Sequence, residues 1–263
     1  MKKRLHGLVT PFTQVNKNTL TIMLGLQIFA LMLYWTFGKF QFFPTPMQVG
    51  HAFKVLLTEQ GLIAELWVSL WLCVKSMFFA TIISAVISYL SVIPATKYVS
   101  AFVTKGRFLT LVGLSFFFTL MTSSGDGLKV SLLVFSITVF FTTSFSSAIA
   151  NIEEYEYNHA RTLGLNPWET LFEVVIYGKL ADLLEVMKQN FAIAWMFLTM
   201  VEGIVRSDGG IGVLLLNQNK YLKLDYVFAI QIMIFVIGIF LDILITWIKE
   251  IICPYSSLSG IRK

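Results

Sequence analysis

The sequence predicts an all-α fold, a polytopic membrane helical bundle of about six transmembrane helices with a cytoplasmic helical loop between the fourth and fifth. Three observations predict it. Of 263 residues, 56% are hydrophobic and 13% charged, against roughly 45–50% apolar and about 25% charged in soluble domains. The apolar residues gather into runs near the ~20 residues that cross a bilayer as a helix. The basic residues flank those runs instead of forming one soluble face, so a net charge of +5 speaks of membrane orientation and not of nucleic acid.

The first run spans about Leu20 to Phe37. It follows "MKKRLHG" but is longer than a signal-peptide core of about 7–15 residues and has no small-residue cleavage site, so it reads as a retained helix behind a cytoplasmic tail of about 1–19. The second runs from about Leu66 to Ser91, ahead of Pro94. The third, about Phe108 to Thr122, is short, with a start as early as Tyr98. The fourth runs from about Val130 to Ala150. The fifth, about Leu183 to Val205, is softened at its start by Glu185, Lys188 and Gln189. The sixth covers about Tyr226 to Ile248. With the N-terminus inside, thirteen of the 20 Lys and Arg lie on the cytoplasmic side; Lys39, Lys54, Lys129, Arg206, Lys220 and Lys223 lie outside and Lys75 within a helix. Both termini and the loop 151–182 are therefore expected in the cytoplasm. No internal repeat interrupts what reads as a single membrane domain over 1–263.

The loop is patterned. Ile152, Tyr155, His159, Ala160 and Leu163 form one stripe at helical spacing, with Glu153, Glu154 and Glu156 at the helix start, where negative charge is favoured. Gly164 suits the left-handed position after a helix end. Asn166, Pro167 and Glu169 then spell a cap, a first-turn proline and a capping box. Trp168, Leu171, Phe172 and Val175 make a second stripe. Two short helices joined by a specified turn follow, a rigid object where a linker would suffice.

Catalytic chemistry finds no support. Cys73 and Cys253 give neither a disulfide framework nor a metal spacing, and His6, His51 and His159 are scattered. No phosphate-binding loop, nucleophile elbow or zinc-binding helix motif is present. The chain is expected to be no enzyme, with no catalytic residue, metal or cofactor of its own.

The stretch "HARTLGLNPWETLFEVVIYGKL" resembles the EAA loop of binding-protein-dependent ABC transporter permeases, the type I importer fold. That pattern reads E-A-A, three residues, Gly, nine residues, then I-x-L-P. Ala160, Arg161, Thr162, Leu163, Gly164 and Trp168 fit the version seen in the nitrate/sulfonate/taurine-type permeases, while Asn158, His159 and Tyr177 replace its Glu, Ala and Pro. "PTPMQV" with Ser69 and Leu70 is similar to that family's first outer loop and second helix. "AWMFLTMVEGIVRSDGGIGVLL" resembles its fifth helix and following Gly-rich loop, and "LDYVFAIQIMIFVIGIFLDIL" its last helix. Prolines usual around the third helix are missing, and Leu72 and Ser76 stand where the family often has Arg and Gly, marking a divergent member.

The resemblance implies that the loop is a coupling helix, with His159, Ala160, Arg161, Leu163, Gly164 and Trp168 against a separate ATPase subunit that holds ATP and Mg. It implies a permease homodimer in lipid, an extracytoplasmic solute-binding protein, and residence in a bacterial cytoplasmic (inner) membrane. The solute would be a small anion such as a sulfonate, nitrate or bicarbonate, the alternatives being a vitamin-precursor pyrimidine or a scaffold that no longer translocates. Lys75, Glu202, Gly210 and Gly212 are the translocation-path candidates, each with a bland reading beside it. Lys75 can snorkel, Glu202 can serve a hydrogen bond within the bundle, and "DGGIG" can be a tight turn instead of an anion-binding nest.

Overall fold

The computed structural model describes residues 17–38 and 43–254. The tail expected over about 1–19 therefore falls almost wholly outside them, as do Lys39 and the C-terminal Arg262 and Lys263. All regular structure among the described residues is helical.

The helices are α1 (Lys17–Phe37), α2 (Pro46–Thr58), α3 (Leu62–Leu90), α4 (Lys97–Lys105), α5 (Leu111–Met121), α6 (Gly125–Ala150), α7 (Glu154–Thr162), α8 (Pro167–Thr170), α9 (Leu180–Ile204), α10 (Ile211–Lys220) and α11 (Leu224–Ile252), with a 3₁₀ turn at Gly106–Phe108 and a π-helical stretch at Leu171–Tyr177. Helices α1, α3, α6 and α11 are long and apolar enough to cross a membrane. The third expected segment, about Phe108 to Thr122, contains α5, and a start as early as Tyr98 would carry it through a bend. Helix α4 with its 3₁₀ turn meets α5 at a bend of 112°, and the pair together has the apolar length of a fifth span. The fifth expected segment is α9, whose 25 residues reach ~37 Å. Its first turns carry Asp182, Glu185 and Lys188, which keep it outside the most apolar class.

Two helices lie where loops were expected. Helix α2 starts at a capping box, in which Thr45 Oγ1 accepts from the Gln48 amide and Gln48 Oε1 accepts from the Thr45 amide. Pro46 follows at the first helical position. Helix α10 follows the Gly-rich turn, and its Gln218 donates to Gln60 Oε1 at 2.7 Å.

The centre of the bundle is α3 on α6. Helix α3 presents Ser76, Ala80, Ser84 and Ser88, all buried and four residues apart. Small side chains at that spacing let two backbones approach closely in lipid, where packing replaces the hydrophobic drive. Helix α6 answers with buried Leu132, Leu133, Phe141 and Phe145. Helix α9 lies along the other side of α6, with the Phe140 and Phe197 rings 5.6 Å apart. Helix α11 packs on α9, where the Trp195 indole donates to the Ile234 carbonyl at 3.1 Å. Two ion pairs tie the same two helices, Lys188 to Asp242 at 3.6 Å and Lys249 to Glu185 at 2.6 Å. Charges inside membrane segments are expected to find partners in this way. Helix α1 buries none of its membrane-crossing residues and is held at one end by the Trp35 indole on the Pro44 carbonyl.

Helices α3 and α6 run in one direction and α9 in the other, so the bundle has two functional ends. One gathers Glu65, Lys129, Glu202 and the turn at Gly210; the other gathers the end of α6, α4 and the segment 151–182.

Candidate functional site

The segment 151–182 is built by its own local chemistry. Helix α7 ends in a Schellman motif: the Leu165 amide donates to the Ala160 carbonyl at 3.2 Å and the Gly164 amide to the Arg161 carbonyl at 3.0 Å. Gly164 sits at φ +79°, where a side chain would be strained. The next helix starts two residues later. Asn166 Oδ1 accepts from the Trp168 and Glu169 amides at 3.0 and 2.9 Å, and Glu169 Oε2 accepts from the Asn166 amide at 2.8 Å. The expected turn and capping box are both present.

The stripes differ from the expectation. Ile152 and Ala160 are buried, but Tyr155, His159 and Leu163 of the same expected stripe point outward. Helix α7 is too short and polar to bury a whole face, so it seats on Ala160, with Tyr157 half-buried beside it. In the second stripe Val175 is fully buried and Leu171 half-buried, while Trp168 and Phe172 are exposed. The reason is the wider turn of Leu171–Tyr177, which closes with the Gly178 amide on the Glu173 carbonyl at 3.0 Å, an i to i−5 bond. Spacing rules for a 3.6-residue helix do not carry through it.

Among the coupling candidates, then, Ala160 is the packed anchor at 3% exposure, and His159, Arg161, Leu163, Gly164 and Trp168 are on the surface. Among the described residues Arg161 reaches Asn158 Oδ1, at 3.4 Å, and makes no ion pair. Leu163 and Trp168 are 67% and 63% exposed. With Tyr155 and Phe172 they leave large apolar side chains uncovered on a rigid pair of helices. Burial pushes the Tyr157 phenol above its ordinary pKa, Glu156 adds to this and Lys179 opposes it.

The translocation-path candidates lie at the opposite end, and there the structure shows a lock. Asp208, Gly209 and Gly210 have φ of 63°, 70° and 118°. This left-handed run turns three successive amides toward α3 and α9. The Gly210 amide donates to Glu65 Oε2, the Ile211 amide to Ser69 Oγ at 2.8 Å, and the Gly212 amide to Glu202 Oε2 at 2.7 Å. Ser69 Oγ in turn donates to Glu202 Oε1 at 2.5 Å. Lys129, 1% exposed, donates to the Gly209 carbonyl at 2.8 Å. "DGGIG" is thus a tight turn whose amides are taken up by the chain's own carboxylates. Glu202 is fully buried and engaged within the bundle. Lys75 faces Asp126 of α6 at 3.1 Å, with both side chains partly exposed.

Sequence reading placed Lys129 on an outer flank; the structure buries it inside the lock. It also passed over Glu65 and, on α3, Ser84 and Ser88. The fourfold spacing of Ser76, Ala80, Ser84 and Ser88 was the available signal for that face. Nothing local announces Lys129, whose partner lies 80 residues away. Among the described residues no group of His, Cys, Asp and Glu side chains has the geometry to hold a metal ion.

A protein of Methanocaldococcus jannaschii described as an ABC transporter permease protein is 31% identical over 91 residues, covering 35% of this chain and 34% of that protein. The chain is similar to an ABC transporter permease. The match spans about a third of each protein. No family model matches the chain. The apolar helices and this likeness together describe a multi-pass membrane protein.

Proposed function

We propose that this chain is the membrane-spanning subunit of an ABC importer, and that the segment 151–182 is the helix pair through which an ATPase drives it. The observation that carries the reading is the exposed apolar set Tyr155, Leu163, Trp168 and Phe172 on two helices held by a Schellman turn and a capping box. Surface helices ordinarily turn such residues inward. Aromatic and apolar anchors on a stiff element suit a partner that must push and be pushed, since a few such residues carry most of an interface's energy. Ile152 and Val175, both part of the buried core, seat the segment on the bundle, so movement of the anchors is passed to it. ATP and Mg would be held by the partner ATPase, and this chain would perform no chemistry.

In this reading 151–182 and both termini face the cytoplasm, as the Lys and Arg distribution favours. The lock then lies on the outer side, where a solute-binding protein would deliver a small solute to a pair of such subunits in a bacterial inner membrane. An anion such as a sulfonate, nitrate or bicarbonate fits the resemblance of the loop, and Lys75 with Asp126 is the charged pair that such a solute would meet.

The test is co-purification. Leu163→Ser with Trp168→Ala removes two exposed anchors and no internal contact. We expect the variant to insert and purify normally and to lose its ATPase subunit. Retention of the ATPase at wild-type stoichiometry would overturn the assignment. A cysteine at the exposed position Thr162 should label from the cytoplasmic side alone; labelling from outside intact cells would reverse the topology.

A further inference from the structure

Helix α4 is unlike the rest of the bundle. It carries Lys97 and Lys105, with Arg107 in the following 3₁₀ turn, and no Asp or Glu occurs between Val92 and Leu109. It meets α5 at 112° and follows α6 from Ser146, against Ser100, to Val139, against Gly106. Tyr98, Phe102 and Phe108 are 80%, 81% and 73% exposed beside these cations. Exposed aromatics flanked by basic residues are what a helix presents where it meets a membrane surface.

Its other face closes a cavity. Lys97, Ser100, Ala101 and Thr104 fall at i, i+3, i+4 and i+7, and all four line a space of about 690 Å³ between α3, α4 and α6. Arg107 and the hydroxyls of Ser146 and Ser147 line it as well, and no carboxylate does. The wall is fixed by a hydroxyl chain in which Ser100 Oγ meets Ser146 Oγ at 2.9 Å and Ser146 Oγ donates to Ser88 Oγ at 3.2 Å. Among the described residues, neither Lys97 nor Arg107 has an ion-pair partner. The same cavity is lined by Tyr157 of α7.

We infer that this cavity takes the phosphate headgroup of an anionic phospholipid from the adjoining leaflet, with its acyl chains running along Tyr98, Phe102 and Phe108. Two cations without a carboxylate partner among the described residues, one of them Arg107 stacked on Phe108, a hydroxyl-rich wall and an apolar lip match the three parts of such a lipid: charge, polar head and chain. Contact with Tyr157 places the headgroup against α7, so lipid occupancy braces the segment 151–182. The inference rests on the bundle being in a membrane and not on the ATPase reading, so either can fail alone.

The full chain is reconstituted in nanodiscs of phosphatidylcholine doped with a photoreactive phosphatidylglycerol, and crosslinked peptides are mapped. Crosslinks should concentrate on 97–108 and 146–157. A basic residue beside an anionic lipid surface is worth roughly five-fold in affinity, so Lys97→Gln with Arg107→Gln should weaken lipid retention roughly thirty-fold. Lys220→Gln with Lys223→Gln, at the other end, should leave it unchanged. Ser147→Trp fills the cavity with all charges intact and should displace the lipid too, which decides the matter if the charge variant does not fold. Crosslinking spread evenly over the exposed helices, or lipid retention unaffected by Ser147→Trp, overturns the inference. Displacement of the lipid by inorganic phosphate, with phosphate alone retained in lipid-free detergent, would show a soluble anion site in its place.

Discussion

Glu202 shows how a single buried carboxylate organises one end of the molecule. It accepts from Ser69 and from the Gly212 amide, and Lys129 lies in the same turn through the Gly209 carbonyl. Removing one member of such a set leaves buried donors unsatisfied, which costs about 1–3 kcal/mol for each. Glu202→Ala should therefore lower the thermal midpoint of the detergent-purified protein sharply. Glu202→Gln, which keeps an acceptor for one of the two donors, should fall between it and wild type, and equal midpoints for all three would show that the lock contributes nothing. Gly210 is the second critical position. At φ +118° a Cβ is strained, and here it would also overlap the Glu202 carboxylate. Gly210→Ala should reproduce the loss seen in Glu202→Ala, and the double variant should add little to either, because the two residues share one set of contacts. A glycine-rich turn after an apolar helix was legible in the sequence. Its partners were not, because Glu65 and Lys129 reach it across 145 and 80 residues and their spacing carries no periodic signal.

At the scale of elements, the paired helices α7 and α8 owe their rigidity to chemistry written within a few residues. This is why Gly164, Asn166, Pro167 and Glu169 could be read in advance, while the π-helical turn after them could not. The latter depends on how Val175 seats in the bundle, and no residue of Leu171–Tyr177 marks it locally. The placement of α4 was hidden for a similar reason: the sequence leaves the start of the third segment open between Tyr98 and Phe108, and only the packing of Ser100 on Ser146 and of Gly106 on Val139 shows that this first part lies along α6. Loss of an N-cap costs about 1 kcal/mol. Asn166→Ala should raise amide exchange over 167–177 by roughly five-fold under rapid-opening conditions, with the core amides of α6 unchanged. If the segment is a driven lever, the same variant should weaken coupling of ATP hydrolysis to transport more than it weakens ATPase binding, since Leu163 and Trp168 remain in place.

Over the whole molecule the decisive contact is α3 on α6, because it joins the lock at one end to the segment 151–182 at the other. The face is narrow and made of Ser76, Ala80, Ser84 and Ser88, and its direct interhelical hydrogen bonds are few: Ser84 Oγ donates to the Thr138 carbonyl at 3.2 Å and Ser88 accepts from Ser146. Ser76, Thr138 and Thr142 place buried hydroxyls there with no hydrogen-bond partner among the described residues. Close backbone approach, more than polar pairing, therefore holds the two helices together, in keeping with the modest worth of hydroxyl bonds inside membranes, about 0.6 kcal/mol on average. The prediction is specific to size. Ala80, fully buried, admits no larger side chain without parting the helices, and overpacking costs about 1–3 kcal/mol. Ala80→Leu should lower the thermal midpoint and, by separating α3 from α6, disturb both ends at once: faster amide exchange at Gly210–Gly212 and at 154–162. Ala80→Ser, which keeps the volume small, should leave both ends as in wild type. Val86→Leu on the exposed face of the same helix is the control for added bulk. If Ala80→Leu perturbs exchange at one end only, the two ends are independently held, and α3 and α6 are not the rigid connection that a lever acting across the bundle requires.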